Sequence, residues 1–468
     1  MGARRREPRN GSHLMQRALT AVLLAFVVGL TALLTCCLSF RAAPAAAYAP
    51  PPLRLSLVSQ PDPQPTVQRL GEHLSLVDGL RVLHVWGSHR EMGRQQGEAL
   101  AEEIRGGIQR YMEAKVRDDW GYPLDYQRRC AEAMAKHIPP EYIEEMRGIA
   151  EGAGVPYGQV LLLHTHADMV HFGKEWGEVT DGRQRKQESL CSNFVAFGPA
   201  TVEGKVYHGR NLDWTTGTGI QEFATLLIAE PEDGVPFALL AWAGCIGGVT
   251  GMNAEGITFG EMTSSTADET LDGMPLFLAC RRILDSCRDL GEVEQFVKTY
   301  PGTTGWNFMI ADGDAQDALA IEVDAKERVV YRPSDPAELI PPMSYPIPNA
   351  IRRTNHPITP SLQESIASRA GITGIKVPVV RTAVPFLDTW QRYAALGHWI
   401  SEEYYGRIDE RVARAMLQSP PVAGGGNLHS AVFNATDRVM WVANASLTDP
   451  AWSQPYVRID LREWLGRR

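Results

Sequence analysis

Residues 189–214 read SLCSNFVAFGPATVEGKVYHGRNLDW, from Ser189 to Trp214. Two segments rich in β-branched and aromatic residues, 193–198 and 205–210, flank a turn that carries Gly204, the pattern of an antiparallel hairpin. Adjacent strands lie about 5 Å apart, so the second strand returns Arg210, Asn211 and Asp213 to the neighbourhood of Cys191, where the first begins. A thiol beside a cation and a carboxylate has the ingredients of an activated nucleophile. The cation favours thiolate, and the carboxylate can orient an amine or imidazole. On residue types alone, the same cysteine also reads as a small buried apolar side chain at a strand edge.

Outward from this hairpin the chain changes character. Before Glu188 the apolar positions recur at helical spacing: Met92, Leu100, Ile104, Ile108 and Met112 form one stripe over 89–116, and further helices are predicted near 124–136 and 140–153. After it, strand-like segments follow at 224–229, 236–242, 256–262, 306–311, 317–323, 327–331, 428–433, 438–443 and 455–459. Short links such as Asp312-Gly313-Asp314 and Thr436-Asp437 imply antiparallel pairing. Helices interrupt the strands at 275–299 and about 381–418. Strands grouped with strands and helices with helices predict an α+β fold, not alternating βαβ units.

The chain has 468 residues, 44% hydrophobic and 22% charged, enough to bury a large core. Net charge is −9, yet the first 41 residues carry six Arg and one Glu, so the remainder holds fourteen excess negative charges. An acidic body excludes nucleic acid as the expected partner, because phosphate backbones are bound by clustered Lys and Arg. Residues 18–40 are uncharged and dominated by Leu, Val and Ala, preceded by Arg4, Arg5, Arg6, Arg9 and Arg17. That length crosses a bilayer, and the positive flank stays cytoplasmic, which predicts export of everything after Arg41. Two alternatives stand: an uncleaved anchor, or a signal sequence cut near Ala45-Ala46-Ala47. Residues 42–75, with Pro50, Pro51, Pro52, Pro61, Pro63 and Pro65, read as a linker, and the folded body is expected to begin between residues 68 and 76. Of seven cysteines, Cys36 and Cys37 lie in the apolar run. The odd five that remain leave at least one thiol free.

The segment Cys191-Ser-Asn-Phe, followed by Gly209-Arg-Asn-Leu-Asp-Trp214, resembles the N-terminal nucleophile hydrolases that group choloylglycine hydrolase and penicillin V acylase with the acyl-coenzyme A:6-aminopenicillanate acyltransferase (peptidase C45) family. Other blocks fit in order: Gly87-Ser-His-Arg-Glu-Met-Gly93-Arg-Gln-Gln-Gly97, Met146-Arg-Gly-Ile-Ala-Glu-Gly-Ala-Gly154, Gly251-Met-Asn-Ala-Glu-Gly256, Arg353-Thr-Asn355-His-Pro357 and Thr389-Trp-Gln-Arg392. The resemblance implies a four-layer αββα sandwich of antiparallel sheets, with 191–468 as its core and 76–190 as a helical segment retained after maturation. It implies self-cleavage at Leu190-Cys191, making Cys191 the N-terminal nucleophile. A free α-amino group, with pKa about 7.7–8.0, can serve a thiol of about 8.5 as its base. Arg210 and Asp213 match residues that hold the nucleophile and its amine, Asn355 matches an oxyanion donor, and Arg392 an active-site arginine. Leu190 stands where the acyltransferases carry Gly, and Ser192 where Thr is common. The expected chemistry is amide hydrolysis or acyl transfer on a small-molecule acyl amide, through a thioester and with no cofactor or metal.

Two other readings compete. His164-Thr-His166, after the apolar run Val160–Leu163 and near Asp168 and His171, has the look of zinc ligands at a strand end, which would make a metal-dependent amidohydrolase. A membrane-tethered binding protein on the same scaffold is the other. A lineage without catalysis is free to lose Cys191, Arg210, Asp213 or Asn355, and all four are present.

Overall fold

A computed structural model describes residues 50–57, 64–172, 191–214, 216–339, 345–369 and 388–466. The apolar run 18–40, its arginine flank and Leu190 lie outside the described residues. Among the described residues no helix is long and apolar enough to cross a membrane.

Strands Val67–Arg69 (β1), Leu74–Val77 (β2) and Leu80–Gly87 (β3) open the fold, and Ser192–Gly198 (β4) with Gly204–Asp213 (β5) forms the hairpin. Ala224–Pro231 (β6), Phe237–Trp242 (β7), Thr250–Asn253 (β8), Ile257–Thr263 (β9), Trp306–Asp312 (β10), Asp317–Val323 (β11) and Arg328–Tyr331 (β12) follow. Ala350–Arg353 (β13), Asn427–Asn434 (β14), Val439–Asn444 (β15) and Val457–Asp460 (β16) complete the set. They build a ten-stranded sheet, β1-β2-β3-β6-β7-β8-β9-β10-β11-β12, and a six-stranded sheet, β13-β4-β5-β14-β15-β16. The sheets face each other through β9, β10 and β11 against β4, β5 and β13. Helices His89–Ala99, Leu276–Ser286 and Leu290–Thr299 pack on the larger sheet, and Asp388–His398 and Glu410–Gln418 on the smaller. The layering is therefore helix, sheet, sheet, helix, in an α+β fold. Because both faces of each central strand are covered, β6, β10 and β14 are buried along their whole length rather than alternately.

Several expectations need correction. The sheets are not wholly antiparallel: β3 and β6 pair in parallel, with Val82 opposite Leu226. The segment before Cys191 is not simply helical, since β3 lies inside the larger sheet between β2 and β6. The compact unit begins at Pro50, not at 68–76. Leu53 is buried in a core cluster, the Trp399 indole donates to the Pro51 carbonyl at 3.2 Å, and Arg54 N donates to Ser419 Oγ at 2.8 Å. One apolar anchor among prolines leaves no periodic signal to read. Finally, Val160–Leu163 lies in the helix Tyr157–His171, so His164 and His166 are not at a strand end.

Candidate active site

In an antiparallel sheet, alternate strand ends meet on one edge. Neighbouring strands β13, β4, β5 and β14 therefore bring the end of β13, the start of β4, the end of β5 and the start of β14 together. Asn193 sits opposite both Arg353 and Arg210, and Asp213 opposite Asn427. Cys191 precedes β4, Asp213 ends β5, and Asn355 follows β13 by two residues, so three of the expected site residues share this edge. Arg392 arrives from the helix Asp388–His398 laid over β4 and β13. At the hairpin's far end Glu203 and Gly204 take positive φ of 59° and 72°, and the glycine does so without a side-chain penalty.

The contacts are direct. Cys191 Sγ donates to the Asp213 carbonyl at 3.6 Å. The Arg392 guanidinium donates to the Cys191 carbonyl, to Ser192 Oγ at 2.9 Å and to Asn355 Oδ1 at 3.1 Å, and its Nε is fixed by Asp388 at 2.7 Å. Asn355 Nδ2 donates to the Thr263 carbonyl at 2.9 Å, which uses one of its two amide hydrogens. Asp213 Oδ1 accepts from Asn427 Nδ2 at 2.8 Å, whereas Oδ2 is buried without a partner. Arg210 points between the sheets, donating to the Asn211 carbonyl at 2.6 Å and to Thr250 at 3.3 Å. Its Nη2 lies 3.7 Å from Glu261. Asn211, one residue on, faces the opposite layer and donates to the Leu417 and Val422 carbonyls.

Cys191 is only 1% exposed, yet it lines a cavity, about 450 Å³ when its opening to solvent is included, together with Leu212, Asp213, Trp214, Glu261 and Thr263. The rest of the described wall is mostly aromatic and aliphatic, including Tyr111, Ile220, Trp242, Val249, Leu276, Phe277 and Trp306. Burial governs the electrostatics. It pushes the Cys191 thiol up, with Arg210 opposing, so the thiol is held protonated. It raises Asp213 to about 7, against Asn427, Arg392 and Arg210, and raises Glu261 to about 7 against Arg210.

Glu261, Asn427 and Tyr111 were not singled out from sequence. Glu261 sits among the alternating residues of β9, where a carboxylate ordinarily faces solvent. Asn427 follows Gly424-Gly425-Gly426, a glycine run next to the register irregularity between Asn427 and His429, and such a run at a strand start was readable as a break in regular pairing. Tyr111 lies in a π-helix, Ile108–Asp119, whose wider turn departs from the 3.6-residue period assumed for 89–116.

The zinc reading fails on bonding. His164 Nδ1 meets the Val160 carbonyl at 2.8 Å while Nε2 accepts from Ile246 N at 2.9 Å, so both ring nitrogens are committed. Asp168 accepts from Leu276 N and from Thr303. Among the described residues no group of three or more His, Cys, Asp or Glu side chains could hold a metal ion.

Comparisons with known proteins agree with the ordered blocks. Residues 200–369 match the family model of acyl-coenzyme A:6-aminopenicillanic acid acyl-transferase. This match includes Arg210, Asp213 and Asn355 but neither Cys191 nor Arg392. The chain is 22% identical over 396 residues to protein dcd1B of Dictyostelium discoideum, covering 79% of this chain and 69% of that protein. It is 27% identical over 247 residues to the 40 kDa form of the acyl-coenzyme A:6-aminopenicillanic-acid-acyltransferase of Emericella nidulans, covering 52% of this chain and 63% of that protein. An uncharacterized protein of Archaeoglobus fulgidus is 26% identical, with 83% of this chain and 66% of that one covered. The chain thus spans about two thirds of the length of these relatives. Among solved structures, the Caenorhabditis elegans N-acylethanolamine-hydrolyzing acid amidase ortholog aligns with TM-score 0.37 and 16% identity, over 53% of this chain and 93% of that one. The relatives and neighbours whose names state an activity are acyltransferases, amidases, acylases or hydrolases.

Proposed function

We propose that the protein is a cysteine-nucleophile enzyme that cleaves a non-peptide acyl amide through a thioester, after its own chain is cut between Leu190 and Cys191. The observation that carries this reading is the convergence of Cys191, Asp213, Asn355 and Arg392 at one strand edge, where Cys191 and Asp213 line a cavity. A thiol raised by burial, with no imidazole bonded to it among the described residues, needs a base from elsewhere. Chain cleavage supplies one, because an amide nitrogen has no basicity and an α-amine does. The unpartnered Oδ2 of Asp213 is a ready acceptor for that amine.

In the cut itself, Cys191 Sγ adds to the Leu190 carbonyl carbon, the peptide C–N bond breaks to leave a thioester and the free amine, and water hydrolyses the thioester. In turnover, Sγ attacks the substrate carbonyl as its proton passes to the α-amine. The oxyanion is met by the second Nδ2 hydrogen of Asn355. The ammonium returns its proton to the leaving nitrogen as the C–N bond breaks. Water, activated by the same amine, then releases the acid and regenerates the thiol. An acceptor amine in place of water gives acyl transfer on the same intermediate. Hydrolysis is the reading preferred here, because the Arg-flanked apolar run 18–40 supports export to a compartment with abundant water.

Intact-mass and N-terminal analysis of wild-type protein and Cys191→Ala tests the proposal. The expected result is a fragment beginning at Cys191 in wild type alone, with release of amine from N-acyl amides abolished in the variant. Full-length protein with activity that survives Cys191→Ala overturns it. Protease accessibility of residues 50–468 in intact cells tests export.

A further inference from the structure

The cavity wall opposite the nucleophile carries polar atoms that the reaction does not use. Tyr111, on the π-helix, is 1% exposed, and its hydroxyl has no hydrogen-bond partner. The Trp214 indole, which can only donate, is that hydroxyl's near neighbour, so the phenol's own proton has no acceptor among the described residues. His166, 4% exposed, lines the same cavity from the helix Tyr157–His171, its ring 5.2 Å from that of Tyr111. Its Nδ1 lies 3.0 Å from the Leu163 carbonyl, which can only accept, so Nδ1 carries the proton. Burial lowers the His166 pKa to about 4, so the ring is neutral and Nε2 is left as an acceptor on a residue that lines the cavity. A buried hydroxyl without an acceptor for its proton is costly unless something meets it.

Around these two atoms the surface is aromatic. His166 packs edge-on against Phe277 at 5.5 Å, and Phe277 stacks with Trp242 at 5.8 Å. No Lys or Arg is among the described lining residues, while Asp213 and Glu261 are. An anionic acyl group would meet two acids and no cation. A neutral group that both donates and accepts would meet the Nε2 acceptor and the phenol.

We propose that Tyr111 and His166 are specificity-determining residues that recognise a hydroxyl on an aromatic or otherwise apolar acyl group of the substrate. The hydroxyl donates to His166 Nε2 and accepts from Tyr111 Oη, and the aromatic wall buries the carbon skeleton. The segment before Cys191 thereby selects the acyl group, and the segment after it supplies the reacting atoms. The proposal deepens the reading of this cavity as a substrate site, but its recognition step does not need the nucleophile.

The experiment measures binding and turnover separately. Tryptophan fluorescence of full-length Cys191→Ala, with Trp214, Trp242 and Trp306 in the wall, reports the affinity of phenylacetamide and 4-hydroxyphenylacetamide. Competition between the corresponding anilides reports kcat/KM in the wild type. The expected result is a preference for the hydroxylated member of about 10-fold or more in both measurements. In Tyr111→Phe and in His166→Leu, each checked for folding by thermal unfolding, the ratio falls toward one. A hydroxyl preference in binding without turnover of either anilide supports the recognition and counts against the catalytic reading. Turnover or binding with no preference, or a preference that survives both substitutions, overturns the recognition and leaves the catalytic reading standing.

Discussion

At the scale of single residues, the candidate site buries two acids and a thiol beside arginines. Asn355 touches both Thr263 and Arg392, yet only one of its two amide hydrogens is engaged in these contacts. Asn355→Ala should therefore lower kcat by about 10²–10³ with a smaller effect on KM, read by steady-state hydrolysis of an N-acyl anilide. An unchanged kcat removes Asn355 from the oxyanion site. Glu261 makes a different prediction. Unfolded, it loses its proton near 4.5; folded, burial delays that loss to about 7. Its protonated form thus stabilises the fold fully below pH 4.5, and that contribution, on the order of 3 kcal/mol, disappears as pH rises toward 7. Asp213 acts in the same direction over a window from about 4 to about 7. Glu261→Gln should flatten the fall in melting temperature between pH 4.5 and 7, and an equally steep fall in the variant contradicts the assignment. Cys191, Arg210, Asp213, Asn355 and Arg392 were legible because they stand in blocks whose order resembles a family. Glu261 was not, because its importance comes from the guanidinium facing it across two sheets, a contact between residues 51 positions apart in sequence.

At the scale of elements, most strands were legible where β-branched or aromatic runs met turn residues. Segments 317–323 and 306–311 appear as β11 and β10 with almost the same limits. β3 escaped although Asp78-Gly79 precedes it, because its nearly continuous burial leaves no alternation to read. β8 and β13, Thr-Gly-Met-Asn and Ala-Ile-Arg-Arg, lack the β-branched and aromatic enrichment by which the equally short β12 was read. The glycine blocks near 93 and 148 gain a physical reason that the resemblance alone did not supply. Helices His89–Ala99 and Pro140–Ala153 meet through reciprocal glycines. A Cβ on Gly93 would sit 1.9 Å from the Glu145 carbonyl oxygen, and one on Gly148 2.2 Å from that of Arg90. Gly97 and Gly152 repeat the pattern one turn on, each with a backbone oxygen at 2.5 Å. Backbone cannot swing aside as a side chain can, so Gly93→Ala must push the helices apart. We expect it to destabilise the protein by about 3 kcal/mol or more in chemical denaturation, well beyond the benefit alanine brings to an exposed helix. A neutral substitution would mean that the two helices are not in contact.

At the scale of the whole molecule, the residues before and after Cys191 form one hydrophobic structure, whatever happens at the bond between Leu190 and Cys191. Strand β3 supplies the parallel neighbour of β6. Without it, the wholly buried β6 would become a bare sheet edge, which invites pairing with other chains. The helices add a buried ionic lock. Arg281, after Cys191, donates to Glu145, before it, at 3.0 and 3.1 Å, and to Asp285 at 2.9 Å, all fully or almost fully buried. Losing the Glu145 side would leave the buried guanidinium with Asp285 in place of two carboxylates, and breaking one partner out of a buried ion pair typically costs about 3–5 kcal/mol. Two chains, 50–190 and 191–468, produced together should therefore assemble, elute as one species in native buffer and separate only in denaturant. Residues 191–468 produced alone should aggregate, because both the β6 edge and the aromatic wall normally covered by Tyr111 and His166 are exposed. The measurement is size-exclusion chromatography with mass detection, supplemented by circular dichroism of the 191–468 chain. If that chain proves soluble, monomeric and cooperatively folded by itself, the N-terminal segment is an accessory to the core. If it assembles only with its partner segment, the segment is part of the core, and the proposed cut between Leu190 and Cys191 would leave the piece it frees in place.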